Sequence, residues 1–337
     1  MADNYIKQLL GSLVLIMLSV SCADAKQPLS SRPEVAQFIN QMAKTHGFDR
    51  RRLTRLMDRA EIQQDIIDAI TRPAESKPWY EYRPIFVTKS RIAKGVQFMD
   101  RHAADLDRAQ AQYGVPPEII TAILGVETYY GQRSGTHRVL DSLVTLAFDY
   151  PPRSDFFRSE LESYLLLTRD EHIDPLSLMG SYAGAMGQPQ FISSSYRSYA
   201  VDFDGDGRRD LIKDTADAIG SVANYFQRHG WQRRQPVVAG ARVAGDKYRT
   251  VLDKGLKPSV VASRLGAYGI TADKPLAPHQ KCALIQLQTK DGPDYWLGLQ
   301  NFYVITRYNH SPLYAMAVYQ LSEAIKAGKR HEMAVAN

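Results

Sequence analysis

The chain has 337 residues and carries 42 Lys and Arg against 36 Asp and Glu, a net charge of +6. Hydrophobic residues at 44% and charged residues at 23% exclude a wholly disordered or fibrous chain, and the length predicts about two domains. The basic excess is mild and includes no long Lys/Arg run, so no nucleic-acid partner is expected.

The first feature along the chain is an apolar run, LLGSLVLIMLSVSC, which follows Lys7 and ends at Cys22. It is short for a membrane span and suits a signal-peptide core. Leu18-Ser19-Val20-Ser21-Cys22 resembles a bacterial lipobox, whose cysteine is lipidated after cleavage, while Ala23-Asp24-Ala25 offers an ordinary A-x-A cleavage site. On the first reading residues 1–21 are a lipoprotein signal peptide, Cys22 is lipidated and 22–33 form a tether. Ala23 after the cysteine then favours anchoring to the outer membrane. On the second reading the protein is soluble in the periplasm. The other cysteine, Cys282, is left unpaired and expected in a core.

Residues 34 to 69 read as helical. Val35, Phe38, Ile39 and Met42 lie on one stripe and Leu53, Leu56 and Met57 on another. The prolines and aromatics of KPWYEYRP (77–84) predict a break, and helix resumes across 88–112. Pro116-Pro117 predicts a new helix, as proline does in a first turn, running to residue 130 with Gly131 as terminator. Helices are expected over 139–149, 154–170 and 217–229. Between them lie a Gly/Ser-rich loop or short irregular helix at 180–195 and an acidic loop at 202–210. From 235 to about 295 the β-like PVVAGARVAG and HQKCALIQLQ flank the helix-compatible PSVVASRLGAY, which reads as a small α+β insert. A helix over 311–327 closes the pattern.

The sharpest chemical signal is Glu127. At helical spacing it shares a face with Ile120, Ile123 and Leu124. An ionisable group on an apolar stripe is costly unless paired, hydrated or neutral, and desolvation raises a carboxyl pKa toward the range a general acid needs. Such a glutamate is either a general acid or a structural group bonded at a core edge. Tyr129, Tyr130 and Gly131 follow at once, as suits a cleft lip with aromatic faces for sugar rings. Glycosidases ordinarily use two carboxylates. Residues 175–201 contain no Asp or Glu, so a second acid would have to come from elsewhere, such as Glu118, Asp141, Glu160 or Glu162.

The acidic loop matches the first half of an EF-hand. Asp202, Asp204 and Asp206 occupy positions one, three and five, Gly207 permits the turn, and Arg208 at position seven offers a backbone carbonyl. Position twelve is Lys213, which breaks the pattern. The two readings are a structural Ca2+ or other hard-cation site, and an acidic surface turn held by Arg208 or Arg209.

AILGVETYYG, GSYAGAMGQPQF and NFYVITRYNHS, in this order, resemble the membrane-bound lytic murein transglycosylase B family, and the likeness runs from about residue 78 to 319. The resemblance implies a mainly α (α+β) fold with a lysozyme-like helical core, an EF-hand-like loop and a small α+β insert. The expected divisions are a helical domain at 34–112, a catalytic core at 113–234 with the loop at 202–217, the insert at 235–298 and a closing segment at 299–337. The resemblance also implies an enzyme that cleaves the β-1,4 bond between N-acetylmuramic acid and N-acetylglucosamine in peptidoglycan. No water is used and no catalytic cofactor is needed; Glu127 acts as acid and then base, and a 1,6-anhydro sugar forms. By motif, Tyr82 and Tyr225 offer rings and hydroxyls to the sugars. Ser181 and Gln190 bind the acetamido group and orient Glu127, Tyr308 and Asn309 cap the site, and Arg153 meets a stem-peptide carboxylate. Asp217 or Asp214 would close the acidic loop. The expected partners of this monomer are glycan strands and, through the lipid, the outer membrane. A hydrolytic muramidase and a non-catalytic peptidoglycan-binding lipoprotein are the alternative readings.

Overall fold

The computed structural model describes residues 27–72 and 77–336, which form two compact units, one ending at Arg59 and one beginning at Ala60. The expected signal peptide and Cys22 lie outside the described residues. In the first unit, α1 (Pro33–His46) starts on proline and buries Val35, Phe38, Ile39 and Met42, the expected stripe. Gly47 ends it in a left-handed conformation (φ +69°). The second helix, α2 (Arg50–Met57), is capped by Asp49, whose side chain accepts the Arg52 N–H, and buries Leu53 and Met57.

The second unit begins with α3 (Gln64–Thr71), α4 (Trp79–Phe86), α5 (Lys89–Arg101), α6 (Ala103–Tyr113) and α7 (Pro117–Thr128). Two expectations are corrected here. KPWYEYRP does not interrupt helix: Pro78 is the N-cap of α4, and Pro84 sits inside it. So short a helix loses only one bond to the missing N–H, and its last-turn carbonyls are served from outside, Arg91 Nη1 donating to Ile85 O and Phe86 O at 2.6 and 2.9 Å. The helix expected over 88–112 is two helices: His102 leaves helical geometry (φ −114°, ψ 27°), closes α5 by donating its N–H to Phe98 O, and opens α6 by accepting the Leu106 N–H.

Helix α7 is more deeply set than a single apolar stripe implies. Every residue of it is buried except Pro117 and Glu127. It packs against α5, α6 and two later helices, α11 (Thr215–Arg228) and α14 (Pro312–Ala336). The approach to α5 is close: a Cβ on Gly125 would lie 2.7 Å from the Tyr130 ring, and one on Gly95 2.6 Å from the Tyr130 hydroxyl. Between α7 and α11 run β1 (His137–Arg138), α8 (Val139–Asp149), α9 (Ser154–Asp170), β2 (Met179–Gly180) and α10 (Ser193–Tyr199). β1 and β2 pair antiparallel, and bridges from Gly180 to Met186 and from Met186 to Phe191 fold the Gly/Ser-rich loop onto them.

The insert is a five-stranded sheet of β3 (Val238–Val243), β4 (Val260–Val261), β5 (Ile270–Ala272), β6 (Lys281–Thr289) and β7 (Gly292–Gly298), with the short helix α12 (Arg249–Leu252) against β6. The order is β4-β6-β7-β3-β5, with every neighbouring pair antiparallel. PSVVASRLGAY is not an α-helix but strand β4 followed by a 3-10 segment. Val260, Leu265, Ile270, Cys282, Leu284 and Leu297 make the core of this sheet, so Cys282 is the buried thiol expected. β6 also packs on α4, which ties the insert to the helices. The chain returns through α13 (Gln300–Tyr308) to α14, which packs on α4, α5 and α7.

Candidate active site

Glu127 lies in the last turn of α7 and keeps a partly accessible edge in otherwise enclosed surroundings. Burial pushes its carboxyl pKa up to about 7, against the opposing pull of one hydrogen bond, in which Tyr314 Oη donates to Oε1 at 2.5 Å. The group is therefore close to half protonated at neutral pH and partly accessible, as an acid that must exchange its proton requires. Tyr314, in the first turn of α14, carries no signal in the sequence beyond an aromatic in a helical apolar pattern. It is 3% exposed, and a buried tyrosine hydroxyl needs a partner; the acid is that partner.

The helix ends two residues earlier than the sequence predicts. Tyr129 (φ +53°) and Tyr130 (φ +63°) both adopt left-handed backbone, a conformation costing roughly 1–2 kcal/mol per non-glycine residue, and Gly131 (φ +81°) comes third. The strain is held by specific bonds. Tyr130 N–H returns to Leu124 O at 3.0 Å and its hydroxyl to Arg91 O at 2.7 Å. Thr128 Oγ1 donates to Gln188 O at 2.8 Å and accepts the Gly131 N–H. Thr128 thus ties the end of α7 to the loop at 181–190, and Tyr308 Oη ties the same loop to α13 by donating to Pro189 O at 2.5 Å.

The expected sugar-binding residues divide by what holds them. Ser181 Oγ accepts the N–H groups of Ala183 and Ala185 at 3.3 and 3.1 Å and keeps its own hydrogen for donation. Gln190 takes left-handed backbone (φ +51°) and turns its amide hydrogens inward to Ser134 O and Gly187 O. Its carbonyl oxygen is the end left to accept. The Tyr308 ring is parallel to that of Tyr314, 6.5 Å away and 9° tilted. Burial holds the Tyr314 phenol well above its ordinary pKa, and the neighbouring Glu127, Tyr308 and Tyr82 add to this, which places Tyr82 at the same site. The Tyr225 hydroxyl goes inward to Arg307 O at 2.6 Å and its ring stacks on His229 at 4.0 Å, so Tyr225 braces Tyr308 from behind. Asn309 is exposed and accepts the Ser311 N–H at the start of α14. Arg153 lies exposed ahead of α9, over the rings of Phe156 and Phe157.

The other acids have structural partners. Glu118 pairs with Lys326 at 2.6 Å, roughly 14 Å up the α7 axis from Glu127. Asp141 takes a two-pronged pair from Arg138 and the Glu61 N–H. Glu160 accepts the Ser194 N–H at 3.0 Å, and Glu162 is engaged as well. Comparison with known proteins identifies the family. Residues 30–323 match the family described as "Transglycosylase SLT domain". Membrane-bound lytic murein transglycosylase B of Escherichia coli is 45% identical over 308 residues, covering 88% of this chain and 83% of that protein. The chain belongs to this family of lytic transglycosylases. Its fold is shared with the crystal structure of the soluble lytic transglycosylase SltB1 from Pseudomonas aeruginosa. That structure is 50% identical with a TM-score of 0.84 and covers 88% of this chain and 99% of its own. The E. coli lytic transglycosylase Slt35 in complex with calcium is 44% identical, with a TM-score of 0.82 over 89% of this chain and 95% of its own. SltB3 of P. aeruginosa, in complex with a NAG-anhNAM-pentapeptide, is 31% identical with a TM-score of 0.77, covering 87% and 79%.

Among the described residues, the family's fold here brings Asp202, Asp204 and Asp217 together with carboxylate oxygens within 4.8 Å of one another. Asp217, in the first turn of α11, comes from beyond the loop. Asp206 stands outside this set and accepts the Arg208 N–H, while Lys213 at position twelve adds no oxygen. Asp202 accepts the N–H groups of Gly205 and Gly207, and Asp217 those of Phe203 and Asp210. These bonds leave each carboxylate lone pairs for a cation. Burial raises the Asp217 pKa. That of Asp204 is pulled down by the Asp206 N–H but raised on balance by desolvation and its acidic neighbours. Crowded carboxylates of this kind gain from a hard cation.

Proposed function

We propose that this protein cleaves the β-1,4 bond between N-acetylmuramic acid and N-acetylglucosamine in peptidoglycan with Glu127 as its single catalytic acid and base. The observation that carries the reading is one partly accessible carboxyl raised to about 7, with Glu118, Asp141 and Glu160 held by structural partners. Glu127 gives its proton to the glycosidic oxygen, and the C1–O4 bond breaks. The substrate's acetamido oxygen supports the positive charge at C1, while Ser181 and the Gln190 carbonyl orient that acetamido group. The Glu127 carboxylate, steadied by Tyr314, then takes the proton of the muramic acid O6 hydroxyl, and O6 closes on C1 as a 1,6-anhydro ring. A tethered O6 has a high effective concentration and competes with water without an activating second carboxylate. Tyr82 and Tyr308 wall the sugar site, Asn309 stands at its exposed edge, and Tyr225 acts through Tyr308. Arg153 is left for a carboxylate at the surface.

Asp202, Asp204 and Asp217 would hold a structural Ca2+, with the Arg208 carbonyl and Asp206 as outer contributors; the ion would stiffen the loop and take no part in bond cleavage. Among the described residues no helix is long and apolar enough to cross a membrane. The lipobox-like segment 18–22 supports a lipid on Cys22 as the means of attachment, to the outer membrane from the periplasm, and Cys22→Ala should release the protein from the membrane fraction. The catalytic test is digestion of purified peptidoglycan by protein lacking residues 1–25, followed by mass spectrometry. Muropeptides one water lighter than the hydrolysed form are the expected products. Reducing muramic acid ends would make the enzyme a muramidase, and an intact polymer retaining bound protein would remove catalysis altogether.

A further inference from the structure

Beside the acid lies a feature that the cleavage steps do not use. Tyr129, two residues past Glu127, carries three cations on its ring. The Lys94 ammonium is 4.7 Å from the ring centroid, and the Arg91 and Arg133 guanidinium carbons are each 5.1 Å away. Among the described residues none of the three forms an ion pair with an Asp or Glu. Lys94 instead reaches Gln132 Oε1 at 2.8 Å. Arg91 is 8% exposed, and its Nε is buried with no hydrogen-bond partner. An electron-rich ring face offsets part of the repulsion among gathered cations but supplies no counter-charge. The left-handed turn at Tyr129 is what carries this ring to α5, where Ser90 meets its hydroxyl at 3.2 Å.

We propose that Lys94 and Arg133 on Tyr129, with the charge of the buried Arg91 behind them, form a subsite for a carboxylate of the peptide stem carried by the substrate. The inference rests on peptidoglycan being that substrate. The stem hangs from muramic acid, the sugar whose C1 must lie at Glu127, and the Tyr129 Cα is at most about 8 Å from that of Glu127. A stem carboxylate therefore needs no long reach to this cluster. A carboxylate also suits the two-donor fork of the exposed Arg133 beside the Lys94 ammonium and supplies the missing counter-charge. Phosphate of an anionic lipid would meet the same charges, but the position next to the acid favours the substrate.

The test uses calorimetric binding by Glu127→Gln protein, which cannot turn over. The two ligands are a GlcNAc–MurNAc disaccharide bearing a tetrapeptide stem and the same disaccharide without it. Adding Lys94→Gln and Arg133→Gln should weaken the stem-bearing ligand about tenfold and leave the stem-free ligand unchanged. Arg133→Gln alone, at an exposed side chain, should give part of that loss at an unaltered melting temperature. Equal weakening of both ligands, or no weakening of the stem-bearing one, would overturn the proposal. So would loss of binding to phosphatidylglycerol vesicles with stem binding intact, which would assign the cluster to lipid. If wild-type protein released no anhydro products while the stem preference still vanished with the two cations, the cleavage reading would fall and this one would stand.

Discussion

Glu127 should make the protein less stable as pH rises, and Glu127→Gln should remove that loss. The carboxyl ionises at about 7 in the fold against an ordinary 4.5, so the folded chain binds this proton more tightly than the unfolded chain does. The penalty is absent below 4.5, develops between 4.5 and 7, and is complete above 7. A shift of this size corresponds to about 3 kcal/mol, and solvent at the exposed edge of the side chain reduces it to roughly 2–3 kcal/mol. Gln is nearly isosteric, cannot ionise and can still accept the Tyr314 hydroxyl through its carbonyl oxygen. At pH 8 the variant should melt about 3–5 °C above wild type, and at pH 4.5 the two should coincide. Differential scanning calorimetry of both proteins across this range measures the difference directly. A gap that is independent of pH, or that widens toward acid, would mean that Glu127 is not desolvated and would remove the basis for its role as the acid.

Four further outcomes follow from the same geometry. Tyr314→Phe removes the one bond that lowers the acid's pKa, so the alkaline limb of kcat/KM should move up from about 7 by roughly one unit while kcat falls about tenfold to a hundredfold. A pH–rate profile that does not move would show the hydroxyl to be a bystander. Gly125→Ala drives a methyl to 2.7 Å from the Tyr130 ring and should cost about 1–3 kcal/mol in a urea melt, although alanine favours helix. Asp141→Asn breaks the buried pair with Arg138 and should lose about 1–3 kcal/mol of stability at near-normal turnover; loss of turnover without loss of stability would give the reaction a second carboxylate. Calcium at a hundred times its dissociation constant should stabilise the protein by about 2.7 kcal/mol, and Asp202→Asn should abolish that gain in thermal melts with and without chelator.

The helices were readable wherever an apolar period ran between clear terminators, as at Val139–Asp149 and Ser154–Asp170, which fall where the sequence puts them. The misplaced boundaries lie where the apolar period does not decide. The pattern runs on through His102, whose backbone nonetheless leaves the helix between α5 and α6 (φ −114°, ψ 27°). Pro84 reads as a breaker, but so short a helix loses only one bond to its missing N–H, and Arg91, in the first turn of the next helix, serves the last-turn carbonyls. The end of α7 at Thr128 depends on Gln188, sixty residues away in sequence. The site shows the same division. Glu127 announced itself as an acid on an apolar stripe, and the motifs around Ser181 and Gln190 marked the facing loop. Tyr314 was invisible, because an aromatic in a core helix looks the same whether its hydroxyl meets a carbonyl or the reacting acid.

A single group that serves as acid and then base needs opposed influences on its pKa, and the fold supplies both. Burial alone would hold Glu127 protonated and leave the carboxylate formed after the first transfer unsupported. The Tyr314 hydroxyl restrains that tendency and stays in place to stabilise the charge once the proton has gone. The position of the acid is fixed by features with no chemistry of their own. Gly95 and Gly125 let Tyr130 lock α7 against α5, and two left-handed tyrosines end the helix directly after the turn that carries Glu127. Tyr308 and Thr128 hold the opposite loop from two sides by bonds to adjacent carbonyls, those of Pro189 and Gln188. The backbone strain and the desolvated carboxyl therefore belong to one arrangement, in which stability is given up at the residue that must be ready to lose its proton.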